Sequence, residues 1–159
     1  MTTLSEKDAC DLLDADHRAV KKLFKSYDEL AASQSRPAMG KRMEIARQIC
    51  QELTLHTQIE EEIFYPQVRA AVKETDLLAE ALVEHATAKE LIAQIEDAQE
   101  VDEAFDAKVK VLSEYIDHHV KEERTQMFPK ARAARGLDLI AIRRQLESRK
   151  EELKAETYA

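Results

Sequence analysis

The stretch His56-Thr-Gln-Ile-Glu-Glu-Glu-Ile-Phe-Tyr-Pro66 decides how this sequence folds, because a related stretch occurs a second time. The second copy is His119-Val-Lys-Glu-Glu-Arg-Thr-Gln-Met-Phe-Pro129. Both copies have Glu four residues after His, an aromatic residue at the ninth position and Pro at the tenth. Residues four apart lie on one face of a helix, so an imidazole and a carboxylate at this spacing reach the same metal ion. The repeat therefore predicts two related helices, each with a His-x3-Glu pair.

The segments upstream of these stretches also match each other. Asp16-His17-Arg-Ala-Val-Lys-Lys-Leu-Phe24 aligns with Glu84-His85-Ala-Thr-Ala-Lys-Glu-Leu-Ile92. Each acid-His pair precedes one His-x3-Glu stretch, so the first and second predicted helices form one hairpin and the third and fourth form another. The repeat predicts two copies of a helical hairpin, related by a pseudo-twofold axis.

The composition supports an all-α fold. The 159 residues include 2 Gly and 3 Pro, too few for the frequent turns of a β-sandwich or barrel. Charged residues make up 35% and apolar residues 44%, as expected for amphipathic helices with solvated outer faces. We predict an antiparallel up-down four-helix bundle in residues 1–135 and a charged C-terminal helix in residues 136–159, packed on the bundle or in a dimer contact.

Capping residues, prolines and hydrophobic periodicity give the expected helix limits. The first helix is expected to begin with Ser5 as its N-cap, and Pro66 and Pro129 are each expected to kink or end a helix. The inward face of the third helix is predicted to contain Leu78, Leu82, Ala88 and Ile92. The predicted helices run to about residue 31, from about 38 to 71, 75 to 98, 103 to 128 and 137 to 155.

Charge and hydropathy exclude several classes of function. A net charge of −8 and a pI near 5.2 argue against nucleic-acid binding. No run of 18 apolar residues is present, so no membrane span is expected. The first residues lack the apolar segment of a signal peptide, and Cys10 and Cys50 are interpreted as reduced packing residues. We therefore expect a cytoplasmic monomer or homodimer.

Each of the first four helices places a histidine on its apolar face. A single histidine there is usually a hydrogen-bonded core residue, but four such histidines and two carboxylates indicate metal ligands. The repeat favours His119 over its neighbour His118, because counting from His118 places Pro129 at the eleventh position. The predicted ligands to two metal ions bridged by carboxylates are His17, His56, Glu60, His85, His119 and Glu123. Their chemistry suits iron, manganese or zinc, and spacing alone does not distinguish these metals.

Other side chains near these motifs have two interpretations each. Tyr115, one turn before His119, is a candidate hydrogen-bond donor to a carboxylate or a bound oxygen species, or an ordinary interface tyrosine. Lys89 either reaches over the site or extends into solvent. The acidic residues Glu61, Glu62 and Glu122 are interpreted as solvated, and the alternative is that they support a ligand or bind the metal themselves.

In combination, these motifs resemble the hemerythrin-like HHE cation-binding domains, from about Asp11 to Lys130. The resemblance implies a four-helix bundle with a non-haem di-iron centre, an oxo- or hydroxo-type bridge, and reactions with O2, peroxide or NO. The O2-carrying members have a second histidine one turn after the histidine of the third helix, where this chain has Lys89. The set of four His and two Glu is similar instead to the repair-of-iron-centres proteins.

The resemblance leaves three classes of function open. The first is a redox enzyme that turns over peroxide or NO, and the second is a module that binds or senses iron, O2 or NO without turnover. The third is a bundle in which the metal has a structural role. The likeness to the repair-of-iron-centres proteins favours the first class, in oxidative or nitrosative stress.

Overall fold

The computed structural model describes residues 7–158, which form seven α-helices and two π-helical turns and contain no strand. The elements are, in order, α1 (Ala9–Ala31), α2 (Arg36–Ile59), a first π-turn (Glu60–Phe64), α3 (Tyr65–Ala71), α4 (Asp76–Asp97), α5 (Glu103–Glu122), a second π-turn (Glu123–Met127), α6 (Phe128–Ala133) and α7 (Leu139–Tyr158). The prediction of an all-α fold is confirmed.

The start of α1 differs from the sequence prediction. Asp8 is the N-cap, and its side chain accepts a hydrogen bond from the Asp11 backbone N–H at 3.0 Å. The Asp11 side chain accepts from the Asp8 backbone N–H at 2.9 Å, which completes a capping box. The predicted cap Ser5 lies outside the described residues.

The chain remains helical through Pro66 and Pro129, so neither proline ends its helix, and the predicted end of the second helix at Ala71 is found. Proline has no N–H, so the carbonyl four residues before it loses its partner in a regular α-helix. A π-turn precedes each proline and shifts the hydrogen bonding, with the Tyr65 N–H bonded to the Glu60 carbonyl and the Phe128 N–H bonded to the Glu123 carbonyl. The chain therefore stays helical to Ala71 in the first copy and to Ala133 in the second.

The helices form an antiparallel bundle with an additional C-terminal helix, as predicted. One hairpin pairs α1 with α2, the other pairs α4 with α5, and α7 lies against α1, α2 and the first π-turn. The inner face of α7 is apolar and buried in the core beside Cys10 and Phe64. Its buried residues are Leu139, Ile142, Leu146 and Leu153.

Two apolar clusters fill the interior at opposite ends of the bundle. One contains Leu13, Phe64 and Phe128 with the inner face of α7, and the other contains Phe24 and Phe105. The four histidines of the motifs lie on the same helices at the level between the clusters. The residues from 7 to 158 include no helix that is both long and apolar enough to cross a membrane.

The inward face of α4 contains one error of prediction. Leu82 is 41% exposed, whereas Leu78, Ala81, His85 and Ala88 are buried. The buried face follows steps of three and four residues through Ala81, so Leu82 falls at its outer edge.

Candidate metal centre

The six residues predicted as metal ligands meet at the centre of the bundle. His17, His56, His85 and His119 come from α1, α2, α4 and α5, and all four are buried. Glu60 and Glu123 are the first residues of the two π-turns, and both are 0% exposed. π-Helical turns of this kind are frequent at functional sites.

The first hairpin supplies two imidazoles to one half of the cluster. The Nε2 atoms of His17 and His56 lie 3.1 Å apart. His56 Nε2 lies 3.2 Å from Glu60 Oε1, and His17 Nε2 lies 3.0 Å from Glu123 Oε1. These four residues form a group that is able to hold one cation.

The second hairpin forms the other half in the same way. The Nε2 atoms of His85 and His119 lie 3.2 Å apart. His85 Nε2 lies 3.2 Å from Glu60 Oε1, and His119 Nε2 lies 3.3 Å from Glu123 Oε2. Each carboxylate therefore contacts an imidazole from both hairpins, and the two halves share them.

The electrostatics of the cluster suit a cation. Burial lowers the pKa of His56, but the carboxylates of Glu60 and Asp16 outweigh burial and raise it to about 10. Burial raises the pKa of Glu60, but the surrounding imidazoles hold it well below its usual range. Glu60 Oε2 is buried without a hydrogen-bond donor. An ionised carboxylate oxygen in this environment is costly unless a cation neutralises it, so the residues fit a metal site.

The comparison with protein families agrees with this geometry. The family model of the hemerythrin HHE cation-binding domain matches residues 8–131. The chain belongs to this family. A hemerythrin-type domain with a buried His/Glu cluster binds metal, and α7 lies beyond the matched residues.

Two similar proteins place the family match in context. A hemerythrin HHE cation binding domain-containing protein from Mycobacterium kansasii has a solved structure with a TM-score of 0.72 and 19% identity. The match covers 94% of this chain and 89% of that one, and it shows the shared fold. A curated protein of Nostoc sp. named DNA nickase is 30% identical over 118 residues, which are 74% of this chain. The matched part is 32% of the length of the Nostoc protein.

The tyrosine that forms hydrogen bonds with the cluster is Tyr65, which the sequence analysis did not single out. Tyr115 is 40% exposed, forms no hydrogen bond within residues 7–156 and lines a small cavity with His85 and His119, so its role as a donor to a bound oxygen species stays a prediction. The Tyr65 hydroxyl donates to Glu123 Oε2 at 2.7 Å and lies 3.1 Å from His119 Nε2. Burial and the neighbouring carboxylates raise the pKa of Tyr65 well above its usual value, so the hydroxyl keeps its proton.

The position of Tyr65 explains why sequence reasoning missed it. A residue nine positions after His56 lies about 180° away in a regular α-helix. The π-turn between them changes this angle and brings Tyr65 to the same side. The available signal was the aromatic residue at the ninth position of both repeats, which is Phe128 in the second copy. The Phe128 ring stacks on His17.

Acidic residues hold three of the four imidazoles from outside. Asp16 and Glu84 each precede the first histidine of their hairpin in the sequence, and each contacts the second histidine of that same hairpin. Glu61 of the first hairpin contacts a histidine of the second hairpin. The Nδ1 contacts are His56 with Asp16 at 3.0 Å, His119 with Glu84 at 3.0 Å, and His85 with Glu61 at 2.8 Å. Such contacts fix the orientation of an imidazole ligand. The sequence signal for these contacts was the acid directly before the first histidine of each hairpin, Asp16 in one copy and Glu84 in the other.

Two lysines complete these contacts. Lys89 Nζ lies 2.8 Å from Glu61 Oε1, so it binds this acid rather than reaching over the centre. Lys150 Nζ of α7 lies 2.6 Å from Asp16 Oδ1. Glu62 follows its interpretation as a solvated residue and pairs with Arg149, whereas the Glu122 side chain is only 21% exposed and lies beside His118.

Proposed function

We propose that this protein holds two iron ions in the buried cluster and uses them to bind or turn over a small oxidant. The proposed ligands are His17, His56, Glu60, His85, His119 and Glu123. The single observation behind the proposal is that four imidazoles and two carboxylates converge in two groups, and that Glu60 belongs to both. Within each group the potential ligand atoms all lie within 4.8 Å of one another. The mixed nitrogen and oxygen set suits iron, with manganese and zinc as alternatives.

The Tyr65 hydroxyl is a hydrogen-bond donor beside the proposed iron ions. A pair of iron ions, when bound, would supply electrons to O2, peroxide or NO. The Tyr65 hydroxyl oxygen keeps its proton and lies within 3.3 Å of Glu60 Oε1, His85 Nε2 and His119 Nε2. It is therefore positioned to donate a hydrogen bond on the side of the cluster formed by the second hairpin.

Metal content tests the centre directly. Protein purified without a chelator is expected to contain two iron ions per chain and to show near-ultraviolet charge-transfer absorption. Zinc or manganese at the same stoichiometry would correct the identity of the metal. Protein that binds no divalent metal would contradict the proposal.

The shared carboxylates provide a sharper test. If Glu60 and Glu123 bridge the two ions, Glu60→Ala or Glu123→Ala is expected to impair binding of both ions together. Glu62→Ala is the matched control, because Glu62 is exposed and paired with Arg149. Loss of a single ion would show terminal ligation instead of bridging.

Reaction with oxidants separates turnover from simple binding. Stopped-flow absorption of the reduced protein is expected to show oxidation in air within minutes. The reduced protein is also expected to decompose added peroxide or to bind NO. Reversible binding with the ligand recovered unchanged would favour the alternative, a binding or sensing module for iron, O2 or NO. A metal spectrum that responds to none of these reagents would indicate a structural metal.

A further inference from the structure

A cavity of about 480 Å³ lies between α1 and α5, and its wall includes His17. Apolar side chains of Phe24, Ile116 and Val120 line it. Ligand pockets for small organic molecules span about 300–1,000 Å³, so this space exceeds what a diatomic oxidant needs.

The rim of the cavity is positively charged, although the chain has a net charge of −8. Four basic residues and two acidic residues lie around it, namely Arg18, Lys21, Lys121, Arg124, Asp14 and Asp117. Asp14 pairs with Arg18 and Arg124, each at 2.7 Å. The ammonium groups of Lys21 and Lys121 are exposed and form no hydrogen bond or ion pair in the described part of the chain, and the Asp117 carboxylate on the same rim is likewise unpaired there. The two lysines are the cations at the rim that remain free for a ligand.

The same combination of charge and apolar surface continues along α1. A second cavity of about 480 Å³ shares Arg18, Lys21 and Phe24 with the first. It adds two basic residues, Lys22 and Lys25, and one acidic residue, Asp28. The two adjoining cavities form one groove, in which Phe24 is common to both parts and basic residues outnumber acidic ones. Such a groove complements a molecule with an anionic head and an apolar body.

We propose that this groove binds a small organic carboxylate with a short aliphatic chain. The carboxylate lies between Lys21 and Lys121, and the chain packs on Phe24, Ile116 and Val120. The bound molecule would lie against His17, which makes it a ligand at the entrance to the metal centre. The statement that this molecule lies beside a metal rests on the proposed function. The groove itself does not, because it is formed by side chains of α1, α5 and the second π-turn.

Titration calorimetry with butanoate tests the proposal, together with methyl NMR of Ile116 and Val120. Butanoate is expected to bind and to shift both methyl signals. Uncharged 1-butanol and cationic butylammonium are matched probes with the same chain, and each is expected to bind at least about tenfold more weakly. Equal affinity for 1-butanol and butanoate would overturn the assignment of an anion site.

Charge variants locate the site. The double variant Lys21→Gln with Lys121→Gln is expected to weaken butanoate binding by about tenfold. The control double variant Lys41→Gln with Lys73→Gln removes the same charge at exposed positions that line neither cavity, and it is expected to change the affinity less than about twofold. Equal losses in both double variants would reduce the effect to net charge and overturn the proposal.

The remaining outcomes separate this inference from the proposed function. Titrations are run on metal-loaded and metal-free protein, and metal content is measured on the same samples. Butanoate binding by protein that takes up no metal contradicts the proposed function alone, and metal uptake without butanoate binding contradicts this inference alone. Binding of a single-stranded oligonucleotide through Lys21 and Lys121, with no butanoate binding, would overturn the inference and assign the groove to nucleic acid.

Discussion

At the scale of single residues, burial distinguishes side chains that look equivalent in the sequence. His118 and His119 are adjacent, yet His119 is 5% exposed in the cluster, and the His118 side chain is 65% exposed between Glu84 and Glu122. Adjacent residues on a helix point about 100° apart, so the bundle interior receives one of the two.

The two histidines are therefore expected to respond differently to substitution. His119→Ala should lose at least one metal equivalent, because it removes a buried imidazole from the cluster. His118→Ala should keep both equivalents, measured by elemental analysis of the purified variants. The reverse pattern would contradict the assignment of His119 from the repeat.

The two tyrosines permit a comparable test. Tyr65→Phe is expected to destabilise the metal-free protein by about 1–3 kcal/mol, because buried Glu123 loses a hydrogen-bond donor. Tyr115→Phe, the matched control, is expected to change the free energy of unfolding by less than about 0.5 kcal/mol. Urea unfolding measures both values. Similar effects of the two variants would show that the Tyr65 hydroxyl contributes no specific stabilisation.

At the scale of elements, the π-turns and α7 shape the surroundings of the cluster. Each π-turn begins at a shared carboxylate and accommodates the proline that follows. The residues of α7 lie beyond the range matched by the family model, yet Lys150 reaches Asp16 at 2.6 Å, and Asp16 holds His56. The C-terminal helix therefore takes part in positioning an imidazole of the first hairpin.

Lys150 is expected to influence one half of the centre. Lys150→Met should weaken the binding of one metal equivalent by about tenfold and leave the other unchanged, since contacts outside the ligands typically contribute about 10–100-fold to affinity. Lys150→Arg should restore the affinity, and Lys154→Met is the control on the same helix. Competition with a chelator measures each affinity. An equal effect of Lys154→Met would mean that α7 acts through its packing alone.

At the scale of the whole molecule, stability depends on two apolar clusters on either side of a charged layer. Cys10 lies in one cluster and Cys50 in the other, and both are 0% exposed free thiols. Burial raises the pKa of each thiol to about 12. Their structure agrees with their interpretation as packing residues.

These thiols make the folded state less stable in alkaline solution. The unfolded chain ionises its cysteines from about pH 8.5, whereas the folded chain keeps them protonated to about pH 12. The folded state therefore binds more protons in this window, and stability falls as pH rises through it. Between pH 8 and 10, the wild type is expected to lose on the order of 1 kcal/mol more per thiol than the Cys10→Ala, Cys50→Ala variant. Equal losses in chemical denaturation would contradict the raised pKa values.

The sequence by itself determined the helical class, the repeated hairpin and the faces that carry the six residues now found together. Helical periodicity and capping are local, so spacing and composition report them directly. The helical continuation past Pro129 to Ala133 and the orientation of Tyr65 required the tertiary structure, because a π-turn changes the angle between residues on either side of it. The contacts of Asp16 with His56 and of Lys150 with Asp16 join residues 40 and 134 positions apart, and packing between helices alone brings them together.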